Sequence, residues 1–98
     1  MKVWALERRK QKIVRDVMVD YEIPAEWSIA ELNDLLVEPC QKLDLSRPIA
    51  MEKHVDEMQR IGRVVFRRAD FIDAVPFDSF ELEIVDDDKK KKQAGGWQ

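Results

Sequence analysis

The chain has 98 residues and a mass of 11.6 kDa, which is enough for one small domain. Hydrophobic residues make up 45% of it and charged residues 38%, so the apolar content is that of a folded protein and excludes a wholly disordered chain. The uninterrupted apolar runs fall far short of the roughly 20 residues that a membrane span needs. The sequence therefore predicts no transmembrane helix.

The net charge of −3 is the sum of five blocks of alternating sign. Residues 1–15 carry +5, residues 16–52 carry −7, residues 53–68 carry +3, residues 69–88 carry −8 and residues 89–98 carry +4. Large local charges therefore cancel along the chain. Such zones indicate either a surface that meets a partner of opposite charge or zones that pair within the fold.

The first 22 residues fit two interpretations. A helical face is formed by Leu6, Lys10, Ile13, Val17 and Tyr21, whereas alternation in a strand is shown by Ile13, Val17, Val19 and Tyr21. We favour two strands, at residues 2–8 and 12–21, because three β-branched valines lie in the second segment. The turn would lie in the basic stretch RRKQ, which has neither glycine nor asparagine. The helical alternative therefore stays open.

A helix is predicted to begin at the sequence WSIAEL. Ser28 and Glu31 have the spacing of a capping box, and Trp27 and Leu32 occupy the hydrophobic-staple positions on either side of it. The apolar stripe that follows at helical spacing consists of Ile29, Leu32, Leu35, Leu36, Cys40 and Leu43. Pro39 lacks a backbone N–H, so we expect a kink or a restart of the helix there.

A second helix is predicted from about Ala50 to Ile61, with Gly62 as its left-handed C-terminal cap. Its expected apolar face consists of Met51, Val55, Met58 and Ile61. Beyond Gly62, RVVFRR suits a short strand, and SFELEIV alternates apolar with polar residues as a half-buried strand does. The predicted fold is therefore α+β, a small antiparallel sheet made of an N-terminal hairpin and a C-terminal strand, with two helices packed on one face.

The last residues differ in composition from the rest. Residues 1–85 carry −4 and suit a single compact domain, whereas residues 86–98 read DDDKKKKQAGGWQ and carry +1. Because Asp, Lys and Gly bury little apolar surface, we expect residues 86–98 to form a flexible charged tail. Three consecutive aspartates in such a tail do not preorganise the six to eight oxygens that calcium prefers.

A resemblance covers most of residues 27–85. The segment LDLSRPIAMEKHVDEMQRIGRVVFRRADFIDAVPFDSFELEIV contains an Arg-Pro, a Lys-His pair, a Gly-Arg and an FD before a final acidic strand. In these features it resembles a family of short bacterial proteins of unassigned function. The resemblance implies a compact bacterial cytoplasmic domain, and it brings no activity, cofactor or catalytic residue.

The sequence contains little that suggests catalysis or a cofactor. His54, the single histidine, lies among carboxylates, so a general acid or base there is chemically conceivable, but no nucleophile motif accompanies it. Cys40 lies on a predicted buried stripe and has no second cysteine or histidine at zinc spacing. Three glycines are too few for a phosphate-binding loop. We therefore predict no catalytic, cofactor-binding or metal-binding residue.

Two basic clusters are the candidate binding features. The first consists of Arg8, Arg9, Lys10, Lys12 and Arg15, and the second of Arg60, Arg63, Arg67 and Arg68. If they share a face, they could bind nucleic acid by displacing counterions, with Trp4 or Phe66 as surfaces for base stacking. The pI of about 5.2 and the larger acidic blocks favour a protein partner instead.

The leading hypothesis from the sequence is a non-enzymatic interaction module, either a homodimer or a small accessory subunit. Its candidate partner-binding residues are Arg8, Arg9, Lys10, Lys12, Arg63, Arg67 and Arg68. The strand at residues 79–85 is a candidate docking element if it lies at a sheet edge. A nucleic-acid-binding protein and a small enzyme centred on His54 are the alternatives. A single cysteine and the absence of a secretory signal predict a cytoplasmic location.

Overall fold

The structure is a computed structural model that describes residues 1–85, so the predicted tail and its three aspartates lie outside the described residues. In chain order the elements are β1 Lys2–Arg9, β2 Lys12–Asp20, α1 Ile29–Lys42, α2 Glu52–Ile61, β3 Arg63–Arg67, a short 3-10 turn Arg68–Asp70 and β4 Ser79–Val85. No helix within residues 1–85 is long and apolar enough to cross a membrane.

The N-terminal hairpin is confirmed, and its turn explains why the sequence signal is weak. Lys10 and Gln11 form a two-residue connection in which both φ angles are positive, at 52° and 69°, a conformation that glycine and asparagine adopt more readily. Asp78 stabilises this turn, since its Oδ2 accepts the Lys10 N–H at 2.7 Å and its own N–H donates to the Arg8 carbonyl at 2.7 Å. Hydrogen bonds with Asp78, which is distant in sequence, thus stabilise a turn conformation that Lys10 and Gln11 do not favour by themselves.

The sheet is antiparallel, and its strands lie in the order β2-β1-β4-β3. Leu82 in β4 faces Ala5 in β1 on one side and Val64 in β3 on the other. The expectation that residues 79–85 form a sheet edge is therefore wrong, because β4 is a central strand. The two edges are β2 and β3.

The first helix begins as predicted but does not restart at Pro39. The Ser28 hydroxyl accepts the Glu31 N–H at 3.2 Å, which is the expected N-terminal cap. The helix continues through Pro39 to Lys42, and the Leu43 N–H donates to the Pro39 carbonyl at 3.0 Å. The predicted restart is wrong because Pro39 lies in the last turn of α1, where the one hydrogen bond that it lacks does not end the helix.

The second helix ends as predicted at Gly62, whose φ of 69° is left-handed. Its buried face differs from the prediction, since Met51 is exposed and Ile61 is 67% exposed. The residues of this helix that face the core are His54 and Met58, with Val55 half-buried. The helix is therefore rotated so that a histidine, rather than the two terminal apolar residues, occupies the interior.

The core lies between the helices and one face of the sheet, which confirms the α+β fold with helices packed on one side. Alternate residues of each strand enter it, as a sheet covered on one face requires. The strands contribute Val3, Ala5, Val19, Val64, Phe66, Phe80 and Leu82, and the helices contribute Leu32, Leu35, Leu36, Cys40 and Met58. The opposite face of the sheet is covered by no helix among the described residues.

Candidate functional site

One residue of each predicted basic cluster reaches the same carboxylate on the helix-free face of the sheet. Arg8 of β1 and Arg63 of β3 approach Glu81 of the central strand β4 from its two sides. The Arg8 Nε donates to Glu81 Oε2 at 2.8 Å, and the Arg63 Nη2 donates to Glu81 Oε1 at 2.8 Å. The bond to Glu81 raises the pKa of the Arg63 guanidinium above its ordinary value. The two clusters therefore converge only through Arg8 and Arg63, whose charge the Glu81 carboxylate partly neutralises.

These ion pairs also cover an apolar side chain. Leu6 faces Glu81 across β1–β4 and Asp16 across β1–β2, and it is 0% exposed although no described helix lies over it. On one side of Leu6 the Trp4 Nε1 donates to Asp16 Oδ2 at 2.7 Å, and on the other lies the Arg8–Glu81 pair. Long amphipathic side chains can cover apolar surface in this way. The polar groups around Leu6 are already bonded to one another, Trp4 to Asp16 and Arg8 to Glu81.

The other residues of the first cluster are arranged differently. Arg9, Lys10 and Lys12 are exposed at the hairpin turn. Arg15 instead lies beside the buried Glu7, with Nε–Oε1 and Nη2–Oε2 distances of 3.1 Å and 2.8 Å. This bidentate bond raises the pKa of the Arg15 guanidinium. Arg15 is therefore part of the support of the fold, and the turn presents the remaining cations.

The second cluster lines a groove of about 330 Å³ between α2 and β3. Its cations are Lys53, Arg60, Arg63 and Arg67. Three of them lie near carboxylates: Lys53 at 4.0 Å from Asp70, Arg60 at 3.0 Å from Asp56 and Arg63 at 2.8 Å from Glu81. In the part of the chain that the structure describes, only Arg67 among these four forms no such pair. Arg68, outside the groove, pairs with Asp78 at 3.4 Å. The groove therefore offers an anion little uncompensated charge.

The structure also removes one of the two predicted stacking residues. Phe66 is completely buried, and its ring centroid lies 4.3 Å from that of His54. The prediction of base stacking on Phe66 is wrong, because the alternation of β3 turns this side chain toward the helices. Trp4 is half-buried on the opposite face and bonded to Asp16.

His54 is buried at 1% exposure and has partners on both ring nitrogens. The Met51 N–H donates to Nδ1 at 2.9 Å, so Nδ1 is an acceptor and the ring proton lies on Nε2. That Nε2 faces the Asp70 Oδ2 at 3.3 Å, to which it donates. A catalytic acid or base must reach a substrate, and a ring enclosed in this way does not. His54 instead ties the start of α2 to the 3-10 turn.

Two of the outward backbone donors of the β3 edge, those of Val65 and Arg67, are occupied. The backbone N–H and C=O groups of residues 63, 65 and 67 point away from β4. The Ile84 N–H of β4 bonds to the Gly62 carbonyl, and the direction of these groups alternates from one residue to the next along a strand. The Val65 N–H donates to Glu57 Oε1 at 3.2 Å, and the Arg67 N–H donates to Asp70 Oδ2 at 2.8 Å. Two carboxylates from the flanking segments thus occupy the positions that a neighbouring strand would take.

Nothing within residues 1–85 covers the edge formed by β2 in this way. Tyr21 donates its N–H to the Met1 carbonyl at 3.0 Å, and because the backbone direction alternates along a strand, Asp16, Met18 and Asp20 point their N–H and C=O groups away from β1. No group among residues 1–85 bonds to these outward N–H and C=O groups.

The apolar side chains of β2 are exposed as well. Ile13 is 42% exposed, Val14 49% and Met18 40%. A register shift between Glu7 and Arg8 marks a bulge near the turn, but the strand is regular from Arg15 to Asp20. An edge that combines unpaired backbone groups with exposed apolar side chains is a template for another strand. Sequence reasoning missed this site because the valine-rich alternation of residues 12–21 predicts a strand without predicting which neighbours it has.

Comparisons of this chain with protein-family models, with curated proteins and with solved structures find no match. The resemblance to short bacterial proteins over residues 27–85 therefore stays an expectation. The candidate site rests on the geometry of the two sheet edges.

Proposed function

We propose that this protein is a non-enzymatic interaction module that binds a protein partner as an additional strand along the β2 edge. The observation that supports this function is the contrast between the edges. Glu57 and Asp70 accept the outward N–H groups of Val65 and Arg67 in β3. The outward N–H groups of Asp16, Met18 and Asp20 in β2 have no acceptor within residues 1–85. Main-chain hydrogen bonds would supply affinity, and the exposed side chains of β2 would supply selectivity.

The charges favour a protein partner over nucleic acid. Residues 1–85 carry −4, and two carboxylates, Glu7 and Glu81, engage Arg15, Arg8 and Arg63. Nucleic-acid affinity depends on cations that are available to replace counterions. We place the module in the cytoplasm of a bacterial cell, where its buried Cys40 suits a reducing compartment. A small accessory subunit of a larger assembly fits the same reasoning.

A proline substitution at Met18 tests the proposed function. The Met18 N–H faces the open edge, so Met18→Pro removes a donor and places a ring where a partner strand would lie, without removing a β1–β2 hydrogen bond. Met18→Ala is the matched control, because it shortens the same side chain and keeps the N–H. The two variants and the unaltered protein would be used as baits in extracts of the cells that make the protein.

We expect partners that the unaltered protein and Met18→Ala retain and that Met18→Pro loses. If every captured protein binds Met18→Pro equally well, the β2 edge is not the binding element. The nucleic-acid alternative has its own measurement, the titration of labelled DNA and RNA at several salt concentrations. Tight binding that weakens steeply with salt would replace the proposed function.

A further inference from the structure

We infer that the partner of the β2 edge is the β2 edge of a second copy of this chain, so that two four-stranded sheets form one continuous antiparallel sheet of eight strands. This inference rests on the proposed function, because it names the partner of the same edge. A two-fold axis perpendicular to the sheet relates the copies, and the same surface is used on both sides.

The charge pattern of β2 is complementary to itself when the strand is reversed. The strand begins at the cation Lys12, and its second half carries Asp16 and Asp20, whereas Arg15 is already bonded to Glu7. An antiparallel copy therefore places Lys12 of each strand beside the acidic half of the other. Lys12 forms no ion pair within residues 1–85, and Asp20, although it bonds to Lys2, keeps a side chain that is 74% exposed. Lys12 therefore has charge left for a partner, and the Asp20 carboxylate remains accessible to one.

The outward backbone groups restrict the register. Hydrogen bonds form only if outward-facing residues of one strand lie opposite outward-facing residues of the other. A two-fold axis at Asp16 would oppose Asp16 to Asp16, and an axis at Met18 would oppose Asp16 to Asp20, both unfavourable pairs of like charge. An axis at Val17 instead pairs Asp16 with Met18 of the second copy. We therefore assign Val17 to the centre of the interface.

This arrangement covers exposed apolar side chains of β2, among them Met18. Met18 gains a neighbour on the helix-free face, and the half-buried Val17 meets its own equivalent on the helix side. A contact made by one pair of strands is small, at the low end of specific interfaces, which begin near roughly 1,200 Å². We therefore expect a reversible dimer whose population depends on protein concentration.

Sedimentation equilibrium from about 1 µM to about 500 µM tests this inference, since a weak dimer changes its population over that range. We expect the unaltered protein to convert from monomer to dimer. Met18→Pro should remain monomeric, and Met18→Ala should dimerise within about tenfold of the unaltered affinity. At the higher concentrations the amides of Asp16, Met18 and Asp20 should become protected from hydrogen exchange, whereas those of Val65 and Arg67 should not change. Circular dichroism would check that Met18→Pro is folded.

A cysteine pair tests the register without relying on proline. Val17 would face its equivalent in a non-hydrogen-bonded pair with Cα atoms about 4.5 Å apart, which suits a disulfide. Val17→Cys should therefore cross-link under mild oxidation, while Met18→Cys, which would face Asp16, should not. The native Cys40 is buried and should not compete.

A protein that is monomeric at every concentration, or a dimer that persists in Met18→Pro, would overturn the inference. A dimer that cross-links through Met18→Cys instead of Val17→Cys would overturn the assigned register. Loss of the dimer leaves the proposed function intact if other proteins still require an unaltered β2 edge in the capture experiment. If neither a second copy nor another protein depends on that edge, both proposals fail.

Discussion

The two edges of the sheet differ in whether their outward backbone N–H groups are hydrogen-bonded within the described residues. The five-residue edge strand β3 has its outward N–H groups at Val65 and Arg67 bonded to Glu57 and Asp70. The nine-residue edge strand β2 has no comparable acceptors among the described residues, and it exposes Met18 beside its outward N–H groups. An edge is thus protected by acceptors from neighbouring segments, and the longer edge of this sheet lacks them.

Connectivity explains the difference. The chain enters β3 directly from α2 and leaves it through the 3-10 turn, so Glu57 and Asp70 already lie beside that edge. The chain leaves β2 at Tyr21, whose hydroxyl donates to the Glu31 carbonyl at 3.2 Å and whose ring stacks on Trp27. Burial and the hydrogen bond to Asp34 raise the pKa of Tyr21. The segment after β2 therefore turns under the helices and leaves the edge uncovered.

Among substitutions at the two edges, Asp70→Ala is expected to lower the free energy of unfolding the most. Asp70 Oδ2 accepts both the Arg67 N–H and the His54 Nε2–H, so its removal leaves a donor of the buried His54 unpaired and opens the β3 edge. We expect a loss of about 3 kcal/mol in the free energy of unfolding, measured in urea by circular dichroism. Asp73→Ala, at an exposed position that bonds to Ser46, should cost less than about 0.5 kcal/mol. Equal losses of unfolding free energy in the two variants would show that the bonds from Asp70 to Arg67 and His54 do not stabilise the fold.

Amide hydrogen exchange compares the edges without any substitution. In dilute protein, where the chain is monomeric, we expect the Asp16, Met18 and Asp20 amides to exchange at least about tenfold faster than those of Val65 and Arg67. The reason is that the Val65 and Arg67 N–H groups are bonded to carboxylates and the β2 groups face solvent. Similar rates for both sets in dilute protein would remove the contrast.

A smaller effect is expected from Glu57, because its side chain is only partly buried. Glu57→Ala removes the acceptor of the Val65 N–H and should cost about 1 kcal/mol of unfolding free energy. The Val65 amide should then exchange at a rate close to that of the β2 amides. Glu57→Gln keeps an acceptor oxygen and should retain most of the protection. If Gln behaves like Ala, the carboxylate charge and not the hydrogen bond protects this edge.

Cys40, a buried core residue of α1, supplies a probe of unfolding with which the substitutions at the two edges can be compared. Burial raises the pKa of Cys40 to about 11, so the folded thiol is protonated and unreactive near pH 8. Labelling by a thiol reagent should report unfolding alone. Met18→Pro should change its rate little, Glu57→Ala should raise it about fivefold, in line with about 1 kcal/mol, and Asp70→Ala should raise it about a hundredfold, in line with about 3 kcal/mol.

The raised pKa of Cys40 also fixes the sign of a pH dependence. The unfolded thiol ionises near its ordinary value of 9.0, below the folded value of about 11. The stability contributed by the protonated thiol is therefore complete below pH 9.0 and is lost as the pH rises through about 11. Cys40→Ala should reduce the slope of unfolding free energy against pH in that interval. An unchanged slope would show that Cys40 does not contribute to it.

Local sequence patterns predicted most of the elements. The Ser28–Glu31 spacing gave the start of α1, and the alternation of residues 79–85 gave β4. Gly62 marked the end of α2. The errors arose where a residue's environment depends on distant parts of the chain, as at Ile61, which fits an apolar helical face by spacing but lies at the exposed end of α2.

The candidate site could be predicted only in its parts. The basic residues Arg8 and Arg63 were identifiable from sequence, but their common partner Glu81 depends on the placement of β4 between β1 and β3. His54 was visible as the single histidine, yet its two bonds make it a support between α2 and the 3-10 turn. The open edge itself depends entirely on the strand order.

The sequence by itself therefore determined most of the helices and strands and the buried faces of α1 and β4, because a period of 3.6 or 2 and a cap are properties of nearby residues. Only the tertiary structure decided that β2 and β3 are the edges and that Glu57 and Asp70 cover just one of them. The physical reason is that backbone hydrogen bonds are chemically the same for every pair of strands. Strand order is set by the packing of the whole core, which no local pattern contains.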